Sequence, residues 1–132
     1  MICIDSSFII DLLRNNLDAS KVFDNIKSES LVTTTINVYE LFSGIYNIKD
    51  RKCEQHIKVL EEFFDGIKIL ELDKDAVMEA SKICGRLTKE GKIIDDLDIL
   101  IAGICLVNGC TKIITRDKEH FNRIKELDVM PY

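Results

Sequence analysis

Short runs of apolar and β-branched residues alternate along this chain with longer stretches whose apolar positions recur every three or four residues. Met1 to Ile4, Ser30 to Thr34, Ile67 to Leu70, Thr111 to Thr115 and a weaker Leu127 to Met130 have the length and the bounding polar turns of strands. Between the first two, Ser7 is the expected cap of a helix running to about Arg14, with Phe8, Ile9, Leu12 and Leu13 on its apolar side, and a second helix is expected from Ala19 to Lys27. Thr35 is the expected cap of a helix carrying Ile36, Tyr39, Leu41 and Phe42, with Glu40 in its second turn. Ile57, Leu60, Phe63 and Phe64 mark another amphipathic helix, and Ala76, Val77, Ala80, Ile83 and Leu87 a long one ending near Gly91. The uninterrupted run from Ile99 to Val107 has the hydrophobicity of a strand. Its length, its Ala102-Gly103 pair and the Asn108-Gly109 stop predict instead a helix buried nearly all round. Five short strands separated by helices predict a parallel sheet covered on both faces, with a strand order that periodicity does not encode.

At 132 residues, 46% hydrophobic and 31% charged with a single proline, the chain is expected to form one domain over residues 1–132. Its longest apolar run falls well short of the ~20 residues that span a bilayer. Met1 is not followed by a basic region and a long apolar core. A soluble cytoplasmic protein without membrane association is therefore expected. Cys3, Cys53, Cys84, Cys105 and Cys110 form no Cys-x-x-Cys pair and read as small core residues in a reducing compartment. A zinc site would need closer ligand spacing than these and the distant His56 and His120 provide. The net charge of −5 argues against a protein that coats nucleic acid through a broad basic face, but not against a nuclease. Lys112, Arg116, Lys118 and Arg123 are expected near the carboxylates considered next, either as positive charge around a site or as ordinary solvated side chains.

Four acids stand where a strand gives way to a helix or a helix begins. Asp5 follows Met-Ile-Cys-Ile, Glu40 follows Thr-Thr-Thr-Ile-Asn-Val-Tyr, Asp98 opens the apolar helix and Asp117 follows Lys-Ile-Ile-Thr-Arg. In open parallel sheets ligands bind beyond the carboxyl ends of the strands, where Asp5 and Asp117 map directly. Taken singly, each acid reads as a helix cap or a solvated charge. Gathered by the fold, any pair at ~4 Å would repel by roughly 4 kcal/mol at an effective dielectric near 20, a penalty that a divalent cation removes. Magnesium suits such a set of hard oxygen ligands, and ions held this way serve phosphodiester hydrolysis.

The segments Ile-Cys-Ile-Asp5-Ser-Ser, Thr-Thr-Thr-Ile-Asn-Val-Tyr-Glu40-Leu-Phe-Ser-Gly, Asp96-Leu-Asp98-Ile-Leu-Ile-Ala-Gly and Ile-Ile-Thr115-Arg-Asp117-Lys-Glu-His-Phe121 resemble, in order, the successive motifs of PIN-domain ribonucleases. They are most similar to those of the small VapC toxins of VapBC toxin-antitoxin systems. The resemblance runs from the first strand to the last. It implies a three-layer α/β/α fold with a central five-stranded parallel sheet, and Mg²⁺- or Mn²⁺-dependent endonucleolytic cleavage of RNA by a metal-activated water, leaving 5′-phosphate and 3′-hydroxyl ends. It assigns Asp5, Glu40, Asp98 and Asp117 as catalytic metal ligands and Asp96 as an extra acid that binds metal directly or through water. Asp95 is peripheral, and Ser6 and Thr115 are hydroxyls that support the carboxylates. It also implies a VapB-type antitoxin as partner. Apolar positions around Phe8, Leu12, Phe42, Ile45 and Tyr46 would either receive that partner, form a homodimer or pack in the core. His120 is expected to face solvent or pack, with proton transfer as the sharper alternative.

Two other readings start from the same residues. A PIN fold acting as a binding module without catalysis would keep the architecture but has no need of four intact acids. A receiver-type signalling domain would need a phosphoacceptor aspartate after the third strand, where Glu71-Leu72-Asp73 is a poor match.

Overall fold

A computed structural model describes residues 1–49 and 51–132. β-Branched residues and leucine dominate strands β1 (Ile2–Ile4), β2 (Leu31–Thr34), β3 (Lys68–Leu70), β4 (Lys112–Ile114) and β5 (Asp128–Met130), which pair in the order β3-β2-β1-β4-β5. Every pairing is parallel. Cys3 stands opposite Val32 on one side and Ile113 on the other, and Ile4 opposite Ile114. Parallel neighbours need long crossovers, and helices supply them. Helices α1 (Ser6–Leu13) and α2 (Leu17–Ile26) join β1 to β2, and α3 (Thr35–Asn47) and α4 (Cys53–Asp65) lead to β3. From there α5 (Lys74–Lys89) and α6 (Asp96–Val107) return to β4, and the short α7 (Lys118–Phe121) precedes β5.

The period-two geometry of a strand divides the core in two. Ile2 and Ile4 face Phe8, Ile9, Ala19, Ile26, Leu41 and Leu60 from α1 to α4. Cys3 and Val32 face the other way, onto Ala76, Ala80, Ile83 and Leu87 of α5 and Ile101, Ile104 and Cys105 of α6. The result is the expected three-layer α/β/α arrangement with five parallel strands. The run beginning at Ile99 is helical and buried from Ile99 through Cys105 apart from half-buried Leu100, as its length and its Asn108-Gly109 stop imply. Gly109, at φ 73°, ends it, and the N–H of Cys110 reaches back to the carbonyl of Cys105 at 2.9 Å. Among the described residues no helix is long and apolar enough to cross a membrane. All five cysteines are free thiols.

Two caps and one helix start lie elsewhere than expected. Asp5, not Ser7, occupies the N-cap of α1, because β1 enters the helix with no intervening turn; Ser7 lies inside the first turn. Thr34, not Thr35, caps α3 for the same reason, in a capping box with Asn37. Helix α2 starts two residues ahead of Ala19, since Asn16 accepts from the N–H groups of Asp18 and Ala19 at 3.0 Å. The strand order also removes the receiver reading. A receiver's third strand lies at the centre of its sheet. Here β3 is an edge strand, and Asp73 caps α5 through the N–H of Ala76.

Helix α6 approaches α5 tightly at Gly103. A β-carbon there would sit 2.6 Å from the carbonyl oxygen of Ala76 and 2.8 Å from Ala80 on α5. Backbone cannot yield as a flexible side chain does, so Gly103→Ala is expected to cost about 2 kcal/mol by overpacking. At this chain length that is a fall in Tm of roughly 5–10 °C. Thermal denaturation measures it, and an unchanged Tm would show that α5 and α6 are not in contact through Gly103.

Candidate metal centre

The chain leaves β1 toward β2 and β3 on one side and later returns to β4 on the other, so the carboxyl ends of β1 and β4 flank the switch point of the sheet. Asp5 is the first residue beyond β1 and Thr115 the first beyond β4. The Asp5 N–H bonds the Ile114 carbonyl at 3.0 Å, which fixes the two strand ends against each other. The Asp5 side chain is only 6% exposed and makes no cap bond to α1. Instead its Oδ1 accepts from Asn37 Nδ2 at 2.7 Å. Its Oδ2 accepts from Thr115 Oγ1 at 2.7 Å and Ser7 Oγ at 2.9 Å. A buried carboxylate survives when its lone pairs are occupied by donors, and these three come from three different segments. Asn37 is oriented in turn. Its Oδ1 accepts from both the hydroxyl and the N–H of Thr34, which turns its NH₂ toward Asp5.

Glu40 follows Asn37 by three residues and so shares its helix face. Ser6 Oγ donates to Glu40 Oε1 at 3.3 Å. Burial pushes Glu40 up to about 7, and the charges of Asp5 and Asp98 push in the same direction. Burial likewise raises Asp98, and Asp5 and Asp117 add to it, while a bond to His120 works the other way. Asp117 caps α7 by accepting from the His120 N–H at 3.4 Å, and its own N–H bonds Thr115 Oγ1 at 3.0 Å. One threonine hydroxyl thus ties Asp5 to the start of the Asp117 turn. The four acids form one electrostatic cluster, with Ser6 and Thr115 bonded to two of its members.

Other residues stand apart from it. Asp96 is exposed and lies two positions, about 200°, around α6 from Asp98. It borders a groove with Val77, Ala80 and Cys84 of α5, so the structure does not bring it to the other acids. Asp95 caps α6 through the N–H of Leu97 at 2.8 Å, and from the edge of the cluster its charge adds to those that raise Glu40. The basic group disperses. Lys112 is at the amino end of β4, away from the acids, Arg123 pairs with Glu119, and Arg116 pairs with Asp11. Lys118 is exposed at the start of α7, next to Asp117, and the charge of Arg123 is still felt at His120. Of the apolar positions considered for a partner, Phe8 is fully buried and Leu12, Phe42 and Ile45 pack against the core under α1 to α4, leaving Tyr46 exposed.

Three functional neighbours escape a reading by residue type. Asn37 looks like an ordinary helix residue, although its spacing from Thr34 and Glu40 is a usable signal. His120 neither faces solvent nor merely packs: its Nδ1 lies 2.7 Å from Asp98 Oδ2 and 3.1 Å from Asp117 Oδ2, and only its three-residue spacing from Asp117 hints at this. Asp11 is buried, ion-paired to Arg116 and bonded by the Tyr132 hydroxyl at 3.0 Å, with Tyr132 edge-on to Phe8. Nothing in the spacing announces that pair, 105 residues apart.

The donor set fits a divalent cation. Ligand atoms of Asp98, Asp117 and His120 lie within 4.8 Å of one another, Glu40 and Asp5 are close enough to shift or be felt by their neighbours, and hard oxygen donors predominate.

This fold and this cluster define a class. The PIN domain family model matches residues 2–127, and the chain belongs to that family. It is 30% identical to ribonuclease VapC1 of Methanocaldococcus jannaschii over 99% of this chain and 86% of that one. It is 23% identical to the tRNA(fMet)-specific endonuclease VapC of Shigella flexneri, over 92% and 89%. Among solved structures it resembles VapBC2 from Rickettsia felis bound to a promoter DNA fragment, with a TM-score of 0.87 at 20% identity over 100% of this chain and 99% of that one. VapBC-1 from nontypeable Haemophilus influenzae gives 0.84 at 26% identity, over 99% and 98%.

The repulsion at Glu40 has a measurable consequence. Its folded pKa lies above the ordinary carboxylate value, so the folded state binds the extra proton between about 4.5 and about 7 and loses stability as pH rises through that window. Glu40→Gln removes the charge and keeps an acceptor for Ser6. With solvent screening at a half-buried group, the gain at pH 8 without metal is about 1 kcal/mol. That corresponds to roughly 3–5 °C in Tm, shrinking toward zero by pH 5. Melting curves at the two pH values test this, and equal effects at both would place Glu40 outside the charged cluster.

Proposed function

We propose that this protein is an endoribonuclease, the toxin of a type II toxin-antitoxin pair, that hydrolyses RNA phosphodiesters with Asp5, Glu40, Asp98 and Asp117 holding Mg²⁺ or Mn²⁺. The observation that carries this reading is the convergence of the four carboxylates at the switch point of a PIN-domain chain. Relatives named as VapC ribonucleases support the reaction, and the VapBC complexes among similar structures support an antitoxin partner. The setting this reading implies is the cytoplasm.

A bound divalent ion would lower the pKa of a water and offset the charge that builds on the phosphate during displacement. The chain's own residues make that chemistry possible. Asp5 is held in one rotamer by Asn37, Ser7 and Thr115, so its position is set before substrate arrives. Burial and the charges of Asp5 and Asp98 make Glu40 retain its proton toward neutral pH, so a cation held there would displace that proton. Asp98 comes from the first turn of α6 and Asp117 from the N-cap of α7, with ligand atoms within 4.8 Å of each other. Lys118, exposed and next to Asp117, is a cation placed to meet an RNA phosphate. Tyr39 and Tyr46, two turns apart and both exposed on α3, offer aromatic area for the antitoxin or a second copy of the chain.

The test is cleavage of labelled total RNA in Mn²⁺ or Mg²⁺. Asp98→Asn is expected to stay folded and lose at least 100-fold in rate, and wild-type fragments should carry 5′-phosphate and 3′-hydroxyl ends. Cyclic phosphate ends would indicate attack by the RNA's own 2′-hydroxyl. Near-normal turnover by Asp98→Asn would remove Asp98 from the site. Binding of RNA without cleavage by either protein would favour the non-catalytic binding module.

A further inference from the structure

We propose that His120 is a nitrogen ligand to the cation held by the acids, and that it makes this a mixed nitrogen-oxygen site favouring transition-metal ions over Mg²⁺. The inference rests on the cation-binding reading above and adds to it a ligand of a different chemical kind. His120 Nδ1, the ring nitrogen nearer the backbone, is the one turned toward the acids, 2.7 Å from Asp98 Oδ2 and 3.1 Å from Asp117 Oδ2. An octahedral ion with bonds of ~2.1 Å keeps adjacent ligand atoms ~3.0 Å apart. Both distances from Nδ1 are near that spacing, and all three donor atoms lie within 4.8 Å of one another.

The backbone holds this geometry. Asp117 accepts from the His120 N–H, the next residue, Phe121, is fully buried, and the imidazole itself is only 33% exposed. The ring is therefore brought to the acids by a short capped turn, not by a long flexible side chain. Carboxylates alone suit Mg²⁺, whereas an imidazole raises affinity for ions later in the first transition row and adds little for Mg²⁺.

The experiment compares wild type, His120→Gln, His120→Asn and Asp98→Asn at pH 8, with folding checked by circular dichroism. Co²⁺ is followed by its visible absorption, and Mn²⁺ and Mg²⁺ by calorimetry. His120→Gln is expected to weaken Co²⁺ at least 10-fold, shift its absorption band as nitrogen is lost from the coordination sphere, and change Mg²⁺ affinity by less than 3-fold. His120→Asn, whose amide oxygen reaches the place of Nδ1, is expected to keep Mg²⁺ affinity and lose the Co²⁺ preference. Unchanged Co²⁺ affinity and spectrum in His120→Gln, with binding still lost in Asp98→Asn, would overturn this inference and leave the cation site standing. Equal losses for Co²⁺ and Mg²⁺ would also overturn it, making His120 a residue that positions Asp98. Wild-type protein that binds none of the three ions would overturn both readings.

Discussion

Everything at the cleft depends on a carboxylate that is nearly out of water. Asp5 is 6% exposed, and its charge is tolerated because Asn37, Ser7 and Thr115 donate to it, one to Oδ1 and two to Oδ2, which leaves Oδ1 with room for a further partner. Those donors come from α3, α1 and the end of β4, so the charge of one residue fixes the relative positions of three segments. Removing a donor would leave a buried charge short of a partner, which costs more than an ordinary hydrogen bond is worth. The same bonds leave Asp5 no freedom to turn away from its acidic neighbours. Glu40 and Asp98 must then accept its field, and both are harder to ionise than an exposed carboxylate.

The fold makes that concentration of charge affordable by keeping it at one end. Two apolar layers lie on either face of the sheet, and the acids sit beyond the strand ends, where no core residue must move to accommodate them. The crossover from β3 to β4 carries α6 over the second face and delivers Asp98 to the cleft from its first turn. Gly103, about one and a half turns further along, lets α6 lie directly on α5. A larger residue there would shift the helix that presents Asp98, so packing in the core and placement in the cleft are linked through one rigid element.

The strands, the buried helix and the four acids were legible in the sequence because each depends on local patterning. Runs of β-branched residues make strands wherever they sit, and an acid at a strand's end lies near the cleft in any parallel α/β sheet. The strand order was not legible, because it follows from how crossovers pack and not from any one segment. The helix starts at Asp5 and Thr34 lie one or two residues ahead of the hydroxyl residues that look like caps: where a strand runs straight into a helix, the cap is the last strand residue, as at Thr34, or the residue just beyond it, as at Asp5. Ser7 looked like a cap and is a donor to Asp5. Asn37 and His120 were undervalued because their importance lies in what they touch. Asp96 shows the converse, since an acid two positions from Asp98 appears equivalent in the sequence and is turned away by the 100° step of the helix. The family resemblance supplied what physics alone did not, the reaction and the partner proposed for this chain.

The central claim is that these carboxylates form one cation site at the switch point. The most direct measurement is a manganese anomalous difference map from a crystal soaked in Mn²⁺. The account predicts a peak within about 2.2 Å of oxygens of Asp98 and Asp117, with Asp5 and Glu40 reached directly or through one water. Manganese bound elsewhere on the chain, with the cleft empty at saturating Mn²⁺, would contradict it.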